Sequence, residues 1–348
     1  MSEHATPTAM AAGAVPAAGN VARSWARALG RMLALSVDET RVARRGFEVD
    51  SPAVVLRLEQ IGASFVVGFN QALGSASLDD LLAPLQAQAP DDAGFAYEGA
   101  AMGLTLGDAL TPGRRCFEAF VAGPAREHVY MAWVGHGWAL AKLPLSPLRR
   151  LQRGASILRW LALDGWGFHD GYFDWPRSVD GQRRPWRLTG AAGQVYDQGL
   201  GRSLWFVRGA NPVALMRSVA AFAPARRADL WAGLGLAAAY AGGVDGAALT
   251  ALRSATGEHA AAFGQGVVFA AEARQRAGNA VDHTAMACEL ILGCDIDSAA
   301  RLARQCLPAE DGGLTDYQRW RLAIQADCAE LMATAQRSLP LWQAGVDP

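Results

Sequence analysis

Asp164-Gly-Trp-Gly-Phe-His-Asp-Gly-Tyr-Phe-Asp-Trp175 sets Gly165, Gly167 and Gly171 among carboxylates, an imidazole and aromatic rings, in a chain that elsewhere reads as helix. Glycine inside a helix costs roughly 1 kcal/mol relative to alanine, so the stretch needs a reason. The chain repeats it. Degenerate copies stand at Glu98-Gly99, Val134-Gly135-His-Gly137, Gln198-Gly199-Leu-Gly201, Ala232-Gly233-Leu-Gly235 and Gln265-Gly266. The first glycines, at 99, 135, 165, 199, 233 and 266, are separated by 36, 30, 34, 34 and 33 residues. A period in the low thirties is the length of a helix-turn-helix unit. In several units a Gly or Pro break leads into a second amphipathic helix, Asn211-Pro212 into Val213 to Phe222 and Gly242-Gly243 into Ala247 to Ala255. The expected fold is all-α: stacked helical hairpins, solenoid-like or closed into an array, with the glycines where one helix approaches another.

Working outward, Ser51-Pro52 opens a helix as an N-cap followed by an N1 proline. Val54, Val55, Leu58, Ile61, Phe65 and Phe69 carry its apolar face to an end near Gly74. Ser77-Leu-Asp-Asp80 caps a shorter helix through Leu85, closed by Pro90-Asp-Asp92. Abundant Ala and Leu, with few alternating β-branched runs, leave Trp186-Arg-Leu-Thr189 as the one candidate for an extended piece.

The chain has 348 residues and is 51% hydrophobic, enough to bury a large core. Thirty-two basic and thirty-three acidic residues give a net charge of −1, which supplies no field for a phosphate backbone and argues against nucleic acid as a partner. Cys116, Cys288, Cys294, Cys306 and Cys328 lack zinc spacing and disulfide density, and a reducing cytoplasm is expected. Residues 1–20 read as a flexible, disordered tail without the basic and apolar regions of a signal peptide, and 21–345 as one all-α helical-repeat domain. Val21 to Ala34 reads as a basic amphipathic helix. No uncharged apolar run approaches the roughly 18 to 20 residues that cross a bilayer.

Side by side, the units bring Glu98, His136, Asp164, Asp197, Gln198 and Gln265 to equivalent or adjacent positions, which in a stacked array line one surface. Gly165, Gly167 and Gly171 suggest a helix end or kink that turns His169 and Asp170 into a cavity. A carboxylate beside an imidazole forms a general acid and base pair. The expected catalytic set is Asp164, His169, Asp170, Asp197 and Arg202. The expected substrate-binding set is Glu98, His136, Trp166, Phe168, Tyr172, Gln198, Gln265 and Arg274. Each also has an ordinary explanation: a lone Asp caps a helix or pairs with Arg, and a lone His packs in a core. No nucleophile elbow, phosphate loop or metalloprotease motif is present. Neither a metal nor an organic cofactor is expected, although His136, Asp164, His169 and Asp170 are residue types that ligate transition metals.

LALDGWGFHDGYF at Leu161 to Phe173, YDQGLGRSLWFVRG at Tyr196 to Gly209 and PARRADLWAGLGLAAAYAGG at Pro224 to Gly243 resemble a bacterial family of unknown domain function. The likeness extends through Gly264-Gln-Gly266, Arg274 to Asn279, His283-Thr284 and Cys288, and covers roughly residues 30 to 330. Members of that family are commonly labelled enediyne biosynthesis proteins. The resemblance implies a cytoplasmic accessory protein of polyketide metabolism, encoded beside an iterative synthase that makes a linear polyene. Its companions there resemble a membrane protein and a propeller-type repeat protein. The family carries no established catalytic residues to transfer. The expected ligand is a hydrophobic polyene or polyketide intermediate, handled by acid and base chemistry. The alternatives are a scaffold that docks a pathway protein through Arg149, Arg150 and Arg153 or the N-terminal helix, and a binding protein for self-protection.

Overall fold

The computed structural model describes residues 32–75, 77–111, 113–143, 151–152, 156–309 and 312–337. The expectations for the tail, for the N-terminal helix through residue 31, and for Arg149, Arg150 and Arg153 lie outside these. Among the described residues there is no strand, and the architecture is a stack of helices. Trp186 stands 81% exposed in a turn, so the one candidate extended piece is loop.

Following a short helical turn at Val42–Arg45, the chain runs through α1 (Pro52–Gly74), α2 (Asp79–Gln86), α3 (Pro90–Leu110), α4 (Cys116–Ala122) and α5 (Val129–Lys142). Then come α6 (Leu161–Phe173), α7 (Gly190–Val207), α8 (Pro212–Ala221), α9 (Pro224–Ala241) and α10 (Gly246–Ala255). The rest is α11 (Ala260–Arg276), α12 (Asp282–Ala287), α13 (Ile296–Gln305) and α14 (Leu314–Arg337). The caps are local. Ser51 Oγ accepts from Val54 N, Asn211 Oδ1 from Val213 N and Ala214 N, and Asp245 Oδ1 from Ala248 N. Ser77 and Asp80 exchange side-chain to backbone bonds of 3.2 Å in a capping box. Pro90 opens α3 as its first residue rather than only closing α2.

The glycine helices α1, α3, α5, α6, α7, α9 and α11 form the inner layer, each packed on the next. The shorter helices cover them: α8 buries only Leu215 and Val219, while α7 buries nearly every residue from Ala192 to Val207. Reciprocal glycine contacts lock the inner layer. A Cβ on Gly135, Gly165, Gly199, Gly233 or Gly266 would stand 1.7 to 2.0 Å from the carbonyl oxygen of Glu98, Val134, Asp164, Gln198 or Ala232 respectively. Gly137, Gly167, Gly201 and Gly235 press likewise on Ala162, Tyr196, Leu230 and Phe263 of the following helix. The first glycine of a unit therefore admits the helix before it, and the second admits the helix after it. The same exchange joins Gly68 to Ala96 and Gly99 to Phe65, so the repeat begins one unit earlier than the sequence reading placed it.

The stack curls back on itself. Arg57 of α1 donates to Ala241 O at the end of α9, 2.9 Å away, and Arg274 of α11 donates to Pro90 O and Asp91 O at the start of α3. In both cases the partner is the fifth inner helix along. α1 is long and apolar enough to cross a bilayer by length and composition, but here Val54, Leu58, Ile61, Phe65 and Phe69 are buried and the helix packs on α3.

Candidate functional site

Because α6 is an unbroken helix through its glycines, about 100° per residue decides where each side chain goes. Residues four apart share a face. Asp164, Phe168 and Tyr172 point inward, while Trp166 and Asp170, roughly 200° from Phe168, point to the opposite side. The neighbouring units follow the same register: Val134 with Trp138, Gln198 with Arg202 and Phe206, Ala232 with Leu236 and Tyr240, Glu98 with Met102. These inward stripes meet inside the curled array.

Between α1, α3, α5, α6, α7 and α9 lies a cavity with about 660 Å³ of empty space, open solvent at its mouth included. Its walls are Ile61, Phe65, Phe95, Trp138, Phe168, Tyr172, Phe206 and Leu236. Trp138 packs 4.5 Å from Phe65 and 5.1 Å from Phe168, centroid to centroid. The lining passes from the partly exposed Leu35 and Glu39 to the buried Glu98, Arg202 and Tyr240. Arg202, Leu236 and Tyr240 also line a smaller cavity of about 310 Å³ beyond, toward Tyr130 and Phe269.

The buried end is a charge cluster. Asp164 is 0% exposed and accepts from Arg202 Nη1 at 2.5 Å and from Gln198 Nε2 at 2.7 Å. Gln265 Nε2 reaches Gln198 Oε1, and Gln325 Nε2 reaches Gln265 Oε1, each at 3.4 Å, extending the polar ladder. The Arg202 guanidinium also lies 4.9 Å over the Phe168 ring. Burial disfavours its charge, but Asp164 and Glu98 outweigh that and hold its pKa above the usual value. Glu98 has no such ion partner. Burial pushes its pKa up to about 7, against the pull of Arg202, with Asp164 raising it further and the Trp138 N–H lowering it. Glu98 Oε1, Trp138 Nε1 and Tyr240 OH are buried and close no well-formed hydrogen bond; the Trp138 N–H lies near enough to the Glu98 carboxyl to lower its pKa but leaves Oε1 unsatisfied.

The expected single catalytic centre is divided among three places. Asp164, Arg202, Glu98, Phe168, Tyr172 and Gln198 gather at the cavity and its buried end, and Gln265 continues the ladder behind them. Asp197, one residue before Gln198 and so turned about 100° away, is clamped by Arg184 at 2.9 Å and by a two-pronged Arg226 at 2.6 and 2.8 Å. Asp164 and His169 form no acid and base pair, since His169 Nδ1 meets Asp170 at 3.1 Å and Tyr196 OH donates to the other Asp170 oxygen at 2.8 Å. The imidazole pKa is lowered by burial despite Asp170. Trp166 and Asp170 line a separate, open polar groove with Arg177, Arg183, Arg184 and Tyr196, so Trp166 is not a wall of the aromatic cavity. His136 bonds Thr105 at 2.9 Å and stacks on Phe117. Arg274 braces the curl through Pro90, Asp91 and Tyr240 main-chain oxygens. His136 and Arg274 touch none of the cavity's empty space.

The sequence reading missed Trp138 and Tyr240. A usable signal was present: Trp138, Phe168, Arg202 and Leu236 each lie three residues beyond the first glycine of their unit. Among the described residues no group of three His, Cys, Asp or Glu side chains is placed to hold a metal ion. The chain matches the family model described as a protein of unknown function (DUF1702) over residues 24–328. It matches no curated protein and no solved structure.

Proposed function

The chain belongs to the DUF1702 family, whose members are commonly labelled enediyne biosynthesis proteins, and from that membership we propose an accessory enzyme of polyketide metabolism. It takes a hydrophobic polyene or polyketide-derived intermediate into the aromatic cavity and moves a proton on it through Glu98. The reading is carried by the Glu98 carboxyl, buried without an ion pair against an apolar, ring-lined space, where burial pushes its pKa up to about 7. Flat rings suit a conjugated chain. Near neutral pH such a carboxyl is present in both forms, so it can give a proton to one atom of the ligand and receive one from another. The outcome of that exchange is an isomerisation or cyclisation, which needs no organic cofactor.

In this proposal Arg202, kept charged and fixed by Asp164, steadies the Glu98 carboxylate left when its proton moves to the ligand. Asp164 is a positioning residue rather than the acid or base. A recessed, ring-lined cavity open at one mouth supports a small-molecule role over a docking scaffold, whose interface would be a broad open groove.

The test uses a producing strain that lacks the gene. Complementation with the wild-type chain restores the final product, whereas Glu98→Gln accumulates the polyene-stage intermediate at equal protein level. Normal product from Glu98→Gln rules out the proton-transfer role.

A further inference from the structure

Three buried polar atoms, Glu98 Oε1, Trp138 Nε1 and Tyr240 OH, close no well-formed hydrogen bond, and all three residues line the cavity. The residues are 2%, 4% and 2% exposed. A buried polar atom left unpaired is costly, and most native ones are satisfied. Tyr240 OH fits against Gly94, where a Cβ would stand 1.9 Å from it, and Glu98 lies one turn further along the same face of α3.

The geometry points to a receptor for a carbonyl oxygen: Trp138 and Tyr240 donate to its two lone pairs beside the Glu98 carboxyl, and the ligand's apolar length lies along the aromatic walls. This rests on the cavity reading above. Indole N–H is a donor only and phenol O–H a donor by choice, so the missing partner is an acceptor with two lone pairs. A pure hydrocarbon leaves all three atoms unpaired. A cation meets Arg202. A carboxylate lacks a free counter-ion, because Arg202 is already committed to Asp164.

The experiment is a fluorescence titration of the full chain with two probes of equal length, a conjugated C18 tetraene methyl ketone and the corresponding tetraene hydrocarbon. The ketone is expected to bind about tenfold tighter. Tyr240→Phe should weaken the ketone about fivefold and leave the hydrocarbon within about twofold, while Trp138→Phe, which also trims the aromatic wall, should weaken both probes but the ketone about fivefold more than the hydrocarbon. Equal binding of both probes by the wild-type chain, or equal weakening of both by the variants, overturns the receptor and leaves the polyene cavity standing. Binding of neither probe overturns both.

Discussion

A methyl group on Gly199 would stand 1.7 Å from the main-chain oxygen of Asp164, the residue whose carboxylate takes Gln198 and Arg202 from the same helix as Gly199. Backbone contact and side-chain pairing between α6 and α7 are thus one feature. Gly199→Ala must separate the two helices and stretch the buried pair. We expect a loss of at least about 3 kcal/mol in denaturant unfolding, in the range of severe core overpacking. Gly74→Ala, at the end of α1 with nothing within 4 Å of the added carbon, should be neutral or stabilising by up to about 1 kcal/mol.

Arg202→Met leaves the Asp164 carboxylate buried with only Gln198 as partner. Removing one member of a buried pair costs about 3 to 5 kcal/mol. Adding Asp164→Leu should restore part of that loss, read from the unfolding midpoint at constant m. A double variant less stable than Arg202→Met would show that the unpaired charge is not the source.

Glu98 gives a stability signature with a definite sign. Its pKa rises from 4.5 unfolded to about 7 folded, so the folded state holds the proton more tightly. That contribution is fully present below 4.5 and is lost as pH rises to about 7, a change of order 3 kcal/mol. His128 opposes it: burial, with Arg274, lowers its pKa to about 4, so its contribution is lost as pH falls from 6.5 toward 4. The stability difference between wild type and Glu98→Gln removes the histidine effect. Wild type should lose about 3 kcal/mol relative to Glu98→Gln between pH 4.5 and 8, and a flat profile excludes the raised pKa.

Asp197 provides the negative control for the site. Asp197→Asn breaks the Arg184 and Arg226 clamp and should lower stability by about 3 kcal/mol. Polyene binding per folded molecule should be unchanged, because no part of the clamp reaches the cavity. A binding loss of about tenfold or more in folded protein would return Asp197 to the site.

Local rules made the helices legible. Ser51-Pro52, Asn211-Pro212 and the Ser77/Asp80 box are signals contained within a few residues, and each cap forms where the sequence puts it. The glycine intervals were legible too, since a backbone contact repeated at every unit leaves a repeated small residue. The regular helix at Leu161–Phe173 was misread because glycine propensity, taken alone, argues against it. Packing against Val134 and Tyr196 main chains offsets that propensity, and those partners lie some thirty residues away in the chain.

By itself, then, the sequence determined that helices form, where they start, and how often one must touch the next. The tertiary structure alone decided which side chains share a space. Asp197 and Gln198 are neighbours in the chain yet face a two-arginine clamp and the buried glutamine ladder, because one residue is about 100° of helix rotation. Glu98, Trp138 and Tyr240 sit in three different units and line one cavity only because the array turns back after five steps, a closure made by bonds between helices far apart in the chain and by no single motif.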